Sequence, residues 1–124
     1  MFAVMPVLQV SDVTKSQAFY RDVLGFTING TWGDGPEFSI IQRGKVTIAL
    51  DRSRDDAPIP VNQYWAAYFY VDDADAVFEE FKAKGADVIR GPEDSFYGMR
   101  EIDVRDPDGH IIAFAHDLGP PPDS

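Results

Sequence analysis

A repeat at about half the chain length constrains the fold more than any other feature of this sequence of 124 residues. The segments VSD at residues 10–12 and VDD at residues 71–73 each precede a predicted helix. Gly25 and Gly85 follow those helices, and each glycine leads into a predicted strand. An internal repeat of this length predicts two similar modules that pack together. We expect a ligand to bind in the groove where the modules meet.

Length and composition are those of one folding unit with a core of its own. Hydrophobic residues make up 44% of the chain and charged residues 26%, which are ordinary values for a globular domain. The absence of cysteine excludes disulfides and thiolate metal sites. No apolar run is long enough to span a bilayer, and no signal-peptide pattern opens the chain. We therefore expect a cytoplasmic protein that does not act at a membrane.

The net charge of −10 argues against nucleic acid as a partner, because phosphate binding needs lysine and arginine. The same charge favours cationic partners and speeds their encounter with the protein. The alternative is that an acidic surface serves solubility alone.

The first module, residues 1–54, is predicted to have the order β-α-β-β-β. An apolar run at its start is typical of a buried strand, and Asp12 is a candidate N-cap for the helix that follows. The helix carries an apolar stripe that includes Phe19 and Tyr20 and stops at Gly25. The predicted strands of this module are residues 2–10, 26–32, 38–41 and 46–50.

The second module, residues 62–118, repeats this order after a linker at residues 55–61 that contains two prolines. Its predicted strands are residues 64–71, 86–90, 100–104 and 110–114, with turns at Gly91-Pro92 and Asp106-Pro107-Asp108-Gly109. We expect a single α+β domain over residues 1–118 and a disordered tail at residues 119–124.

Two β-α-β-β-β modules resemble the vicinal oxygen chelate superfamily, which includes glyoxalase I, extradiol dioxygenases and fosfomycin- and bleomycin-resistance proteins. The resemblance is carried by VSDVTKSQAFYRDVLGF at residues 10–26, YFYVDDADAVFEEFKAKGADV at residues 68–88 and YGMREIDVRDPDGHIIAF at residues 97–114. It implies two half-open sheets, related by pseudo-twofold symmetry, that together form a cup.

Metal-using members of this superfamily place one ligand on each of four strands that face the cup. At the four corresponding positions this chain has one methionine and three alanines. Their thioether and methyl groups cannot bind a hard or borderline divalent ion, which requires oxygen or imidazole ligands. Strand alternation predicts that His110 and His116 point away from the cup. We therefore expect neither a metal nor another cofactor. The resemblance places the four ligand positions at Met5, Ala49, Ala66 and Ala113.

The chain is most similar to the bleomycin-resistance-like branch, which binds without a metal. The resemblance implies a homodimer that exchanges its N-terminal arms, with Pro6 in the arm, and grooves between the two subunits that hold flat rings. In this branch Phe38 falls at an aromatic groove position. Tyr97 stands near the position of a tryptophan.

Alternation along the strands extends the cup-facing set. Asp51 shares a face with Ala49, and both Tyr64 and Tyr68 share one with Ala66, whereas the parity of Trp65 predicts a core position. These aromatic residues could instead all belong to the core. Asp51 could pair with a cation, act as a general base or serve a turn. Arg100 and Glu101 alternate, so at most one of them faces the cup.

The sequence therefore predicts a metal-independent protein that sequesters a small aromatic or cationic molecule, such as a bleomycin-type antibiotic, in a groove between subunits. The alternatives are a metal-free lyase or isomerase that uses Asp51 or an arginine for acid–base chemistry, and a housekeeping or regulatory member that binds no drug. The predicted ligand-binding residues are Met5, Phe38, Ala49, Asp51, Tyr64, Ala66, Tyr68, Tyr97, Met99 and Ala113.

Overall fold

The computed structural model describes residues 1–120 and contains eight strands and two helices in that range. The elements follow the β-α-β-β-β order twice, as the repeat predicts. They are β1 (Val7–Val10), α1 (Val13–Asp22), β2 (Thr27–Trp32), β3 (Phe38–Arg43), β4 (Val46–Arg52), β5 (Trp65–Tyr70), α2 (Ala74–Ala83), β6 (Asp87–Asp94), β7 (Met99–Arg105) and β8 (Ile111–Asp117).

The chain divides into two compact units with the same topology. The first unit contains residues 1–61 and 106–109, and the second contains residues 62–105 together with the chain from residue 110 on. Each unit has one four-stranded mixed sheet, with the order β1-β4-β3-β2 in the first and β5-β8-β7-β6 in the second. In each sheet one pair of strands is parallel and the other two pairs are antiparallel. The predicted α+β class is therefore confirmed.

Each helix begins at an aspartate whose side chain caps the first turn. The Asp12 carboxylate accepts a hydrogen bond from the Lys15 N–H at 3.0 Å, and Asp73 accepts one from the Ala76 N–H at 3.1 Å. These bonds satisfy backbone donors that have no partner within the helix. The prediction of Asp12 as an N-cap is confirmed, and the repeat places an aspartate at the same point of the second unit.

The core of the first unit lies between α1 and one face of the sheet. Helix α1 packs against β2, β3 and β4, and strand alternation points every second side chain of these strands toward it. Burial of this apolar surface supplies the main driving force for folding of the unit. The buried side chains include Leu8, Val10, Tyr20, Leu24, Ile41, Ile48 and Leu50.

The core of the second unit is built in the same way. Helix α2 packs against β6, β7 and β8, and Phe81 of the helix meets Phe114 of β8 with ring centroids 4.9 Å apart. The ring planes are inclined at 69°, an edge-to-face geometry that aromatic pairs favour. Ile102, Val104 and Ile112 complete the apolar layer beneath the helix.

The predicted turn at residues 106–109 forms and also anchors α1. Gly109 has a φ of +96°, and its N–H donates to the Asp106 carbonyl at 3.0 Å. The Tyr20 hydroxyl donates to the Asp106 carboxylate at 2.9 Å, and both residues are buried. Burial and the neighbouring carboxylate raise the pKa of Tyr20 well above its usual value.

Two predicted boundaries are wrong for identifiable reasons. The first strand covers only Val7–Val10 rather than residues 2–10, because Pro6 cannot donate to a strand ladder and residues 1–6 have no regular structure. The predicted turn at Gly91-Pro92 is a break in pairing within β6, which continues to Asp94 after register shifts. An ideal Cβ on Gly91 would lie 2.2 Å from the Glu101 carbonyl oxygen, so glycine allows this close approach to β7.

Residues 119 and 120 have no regular structure, and the rest of the predicted disordered tail lies outside the described residues. None of the helices within residues 1–120 has the length and apolar character needed to cross a membrane.

Replacing Tyr20 with phenylalanine tests the anchor between α1 and the turn. We expect the Tyr20→Phe variant to lose about 1–3 kcal/mol of unfolding free energy, because a buried carboxylate loses a donor. Urea denaturation at neutral pH measures this loss. Since the pKa of Tyr20 is raised in the folded state, its stabilisation is complete below about pH 10 and declines at higher pH. The matched control is Tyr70→Phe, because Tyr70 is exposed, and an equal loss in both variants would contradict the assignment.

Candidate ligand-binding site

The candidate site lies in the second unit, on the face of its sheet opposite α2, which we call the open face. Tyr68 of β5 and Asp103 of β7 are both paired with Ala113 of the central strand β8. Two residue pairs along, on the same face, Ala115 of β8 is paired with Glu101 of β7. Because alanine side chains are short, the Tyr68 hydroxyl reaches across β8 and donates to Glu101 at 2.6 Å. Ala113, which is one of the predicted metal positions, and Ala115 thus leave room for a hydrogen bond between β5 and β7.

Trp65 belongs to this face, and the prediction that it is a core residue is wrong. A register shift between Trp65 and Ala67 marks a β-bulge, so alternation counted from Tyr68 fails at this point. Trp65 is 37% exposed, and its indole N–H donates to Asp103 at 2.9 Å. Its ring packs edge-on against Tyr68, with centroids 4.8 Å apart. Ala66, a predicted ligand residue, lies within the bulge.

Two carboxylates on β7 organise the polar part of the open face. Glu101 accepts hydrogen bonds from the hydroxyls of Tyr68 and Tyr97 and from Arg90 Nη2, the last at 2.6 Å. Asp103 accepts a bond from Arg90 Nε at 2.8 Å and shares the same guanidinium through Nη2 at 3.4 Å. A buried carboxylate is costly unless it is paired and hydrogen-bonded, and these donors meet that requirement.

The ionisation states of this network follow from its contacts. Burial alone would favour the neutral acid of Glu101, but hydrogen bonds from Tyr68, Tyr97 and Arg90 outweigh burial and hold its pKa below the usual value. Burial and the bond to Glu101 raise the pKa of Tyr68, and the same bond is the main cause that raises the pKa of Tyr97. At neutral pH the carboxylate is therefore an anion and both phenols remain donors.

An open cavity of about 580 Å³ lies over this network. Its aromatic lining consists of Tyr64, Trp65, Phe96 and Tyr97, and each of these side chains is exposed by at least 37%. Exposed aromatic rings around a concave surface are suited to stacking on a flat ligand. The charged lining consists of one guanidinium, from Arg90, and four carboxylates, from Glu93, Asp94, Glu101 and Asp103.

The turn between β6 and β7 carries Phe96 and Tyr97 over the cavity. Its closure is held by Ser95, whose N–H donates to the Met99 carbonyl at 2.8 Å and whose hydroxyl accepts from the Met99 N–H at 3.0 Å. Met99 itself is 9% exposed and does not line the cavity. A ligand-binding role for Met99 stays a prediction.

The residues on the opposite face confirm the predicted alternation along β7 and β8. Arg100 binds Asp94 at 2.7 Å and Asp75 of α2 at 3.0 Å, whereas Glu101 points to the open face. His116 Nδ1 accepts a hydrogen bond from the Ala74 N–H at 2.7 Å, so this histidine lies beside α2 and, as predicted, does not face the open side of the sheet. His110 is buried.

The predicted site residues of the first unit lie on or beside its own sheet. Asp51 is paired with Phe38, whose ring lies 5.9 Å from that of Trp32. Met5 precedes β1 and is 38% exposed, whereas Ala49 has no exposed surface. Ala113 of the second unit is equally covered. Ligand contacts for these residues stay predictions.

Of the predicted residues, Tyr64 and Tyr97 line the cavity and Tyr68 belongs to the network behind it. The sequence pattern did not single out Arg90, Phe96 or Asp103, and it predicted of Glu101 only that it alternates with Arg100. The available signal was the spacing of Glu101 and Asp103, which are two residues apart on one strand and therefore share a face. Within residues 1–120, histidine, aspartate and glutamate side chains form no group of three that could hold a metal ion. Metal independence stays a prediction.

Solved structures share this fold over nearly the whole chain. TioX from Micromonospora sp. ML1 matches with a TM-score of 0.78 and 20% identity, covering 95% of this chain and 100% of that one. A bleomycin-binding protein from Streptomyces verticillus, solved with copper(II)-bleomycin, matches with a TM-score of 0.70 and 27% identity, covering 97% and 98%. TnmS3, an antibiotic binding protein from Streptomyces sp. CB03234, matches with a TM-score of 0.75 and 21% identity, covering 94% and 96%.

Curated relatives are longer proteins. The anthracycline biosynthesis proteins DauV of Streptomyces sp. (strain C5) and DnrV of Streptomyces peucetius are each 30% identical to this chain over 115 residues. The match covers 82% of this chain but only 42% of each relative. The chain thus spans about two fifths of the length of these relatives.

The family comparison agrees with the topology. Residues 3–114 match the family described as the Glyoxalase/Bleomycin resistance protein/Dioxygenase superfamily. The matched range includes both β-α-β-β-β repeats up to β8. The chain is a member of the Glyoxalase/Bleomycin resistance protein/Dioxygenase superfamily.

Proposed function

We propose that this protein binds a small planar aromatic molecule that carries a positive charge and sequesters it without chemical change. The observation that carries the proposal is the cavity of about 580 Å³ on the open face of the second unit, with four exposed aromatic residues around it. A volume of this size suits a drug-sized molecule. Stacking on such rings contributes about 0.5–1.5 kcal/mol per contact beyond the burial of apolar area.

The electrostatics of the lining favour a cationic ligand. Asp94 is paired with Arg100, but the other three carboxylates of the lining share the single guanidinium of Arg90, which leaves the cavity with an excess of negative charge. The chain as a whole has a net charge of −10, which attracts cations at a distance. A positive charge over the exposed rings gains a further cation–π attraction.

The state of the network supports binding rather than catalysis. A general base needs an accessible lone pair and a pKa near the working pH. Glu101 is 1% exposed, its oxygens already accept three donors, and its pKa is lowered. Both phenols bound to it have raised pKa values, which keep them protonated. The network is therefore suited to recognising a charged group and poorly suited to proton transfer.

The comparisons support the ligand class. The bleomycin-binding protein of Streptomyces verticillus is 27% identical over nearly the full length of both chains. DauV and DnrV are named for anthracycline biosynthesis, and anthracyclines contain a flat ring system. Bleomycin-type and anthracycline-type compounds are thus the first candidates.

We also propose that the protein forms a homodimer with binding grooves between its subunits. Residues 1–6 form no regular structure, and Met1, Phe2 and Val4 are each exposed by at least 84%. An apolar segment of this kind is suited to packing against a second copy of the chain. The ligand would then be sequestered in the cytoplasm, without nucleic acid or membrane as a partner.

Direct titration tests the binding proposal. We expect doxorubicin or copper(II)-bleomycin to bind with a dissociation constant in the micromolar range or below, measured by calorimetry. The Trp65→Ala variant is expected to bind about tenfold more weakly, since it loses a stacking surface worth about 1.4 kcal/mol. The matched control is Trp32→Ala, which removes the other tryptophan, in the first unit, and should change the affinity less than twofold. Binding no tighter than millimolar by both compounds would overturn the proposal.

Light scattering tests the dimer. We expect a mass twice that of the 13.8 kDa chain, and a shift toward the monomer when residues 1–5 are removed. A monomeric mass for the intact chain at micromolar concentration would exclude a groove between subunits while leaving the cavity of the second unit untouched.

The alternative is a metal-free lyase or isomerase that uses Asp51, which lies partly exposed beside Phe38. Incubation of the bound compound with the protein, followed by mass spectrometry, separates the two functions. We expect no change in the mass of the compound. A time-dependent product that disappears in the Asp51→Asn variant would establish the enzyme instead.

A further inference from the structure

The Glu101 carboxylate lies at the wall of the cavity, yet its own surface is almost completely covered. Glu101 contributes to the cavity lining, but only 1% of the residue is exposed. The groups that cover it are the hydroxyls of Tyr68 and Tyr97 and the guanidinium of Arg90. A ligand therefore reaches this carboxylate only if one of these three donors moves away.

Arg90 and Tyr68 are held in place by several contacts each. Arg90 also binds Asp103 through Nε at 2.8 Å and approaches Glu93 at 3.5 Å. Tyr68 stands within strand β5, and its ring contacts both Trp65 and Tyr70, with centroids at 4.8 Å and 5.7 Å. Moving either donor breaks several interactions at once.

Tyr97 is held far less firmly. It lies in the turn between β6 and β7 and is 49% exposed. Its ring contacts Phe96, which is fully exposed, with centroids 5.0 Å apart. Its hydroxyl donates to Glu101 Oε2, and it also interacts with the side chains of Ser95 in the same turn and Tyr68. Rotation of this side chain thus uncovers the carboxylate without disturbing the strands.

We propose that Tyr97 is a removable cap on Glu101 and that the ammonium group of a ligand replaces the Tyr97 hydroxyl on Glu101 Oε2. This inference deepens the proposed function, on which it rests, by naming the residue that recognises the positive charge. The exchange moves no proton, since a phenol donor leaves and a charged N–H donor takes its place. An ionic donor forms the stronger hydrogen bond to a carboxylate, so the exchange is favourable for a cation. The released Tyr97 ring remains over the cavity and can stack on the ligand.

Two probes with the same ring and different charge test this inference. Naphthylmethylamine is an ammonium at neutral pH, and naphthylmethanol is its uncharged analogue. We expect the intact protein to bind the amine about tenfold more tightly, in line with the strength of charge-assisted hydrogen bonds. The Tyr97→Phe variant should bind the amine about threefold more tightly than the intact protein does, because the competing donor is gone. Its affinity for the alcohol should change much less.

The Glu101→Gln variant should reduce the tenfold preference for the amine to about twofold or less, because the amide carries no charge. The matched control is Asp87→Asn, which removes one carboxylate from β6 outside the cavity and should keep the preference. An equal fall in both variants would show that diffuse charge, and not Glu101, selects the cation.

If Glu101→Gln does not fold, Tyr97→Phe decides the question alone, and an unchanged affinity for the amine overturns the inference. Equal binding of both probes also overturns it but leaves the proposed binding of planar aromatic molecules intact, whereas failure of doxorubicin, copper(II)-bleomycin and both probes to bind removes the proposed function itself.

Discussion

The need to satisfy a buried carboxylate at position 101 determines most of the candidate site. A charge in this position requires donors from several directions, and the chain supplies them from β5, β6 and the turn before β7. Arg90 reaches Glu101 and Asp103 together, so one cation serves two anions on the same strand. Tyr68 reaches Glu101 only because Ala113 and Ala115 of the intervening strand have short side chains. The network links the strands of this sheet, and exposed aromatic rings surround it.

The fold could be predicted from the sequence because its determinants are local. The aspartates at positions 12 and 73 cap the helices through bonds to residues three positions later. The turn at residues 106–109 follows from the conformational preferences of proline and glycine. The spacing of apolar residues distinguishes strands from helices, and the repeat shows the same order of elements a second time. Such signals depend on residues close in the sequence, so they can be identified without knowledge of the tertiary structure.

The site could be predicted only in part, because its contacts join residues distant in the sequence. The bulge beside Trp65 depends on how β5 pairs with β8, and nothing in the segment from Tyr64 to Tyr70 shows it. The one extra residue in the bulge places Trp65 on the face of the sheet opposite to the one that strict alternation predicts. The partners of Glu101 likewise depend on the register of β5, β6 and β7. Tyr64 and Tyr68 could be predicted from strand alternation with Ala66, and Tyr97 from the family resemblance.

The registers of the two units also show why equivalent positions have different roles. In the first unit, Ala49 is flanked by Val7 and Ile40. In the second unit, Ala113 at the equivalent place is flanked by Tyr68 and Asp103. The same backbone thus presents aliphatic side chains around one alanine and a phenol and a carboxylate around the other. The hydrogen-bonded network of tyrosines, arginine and carboxylates is therefore a feature of the second unit, and the recognition of a charged ligand that we propose depends on this difference between the two units.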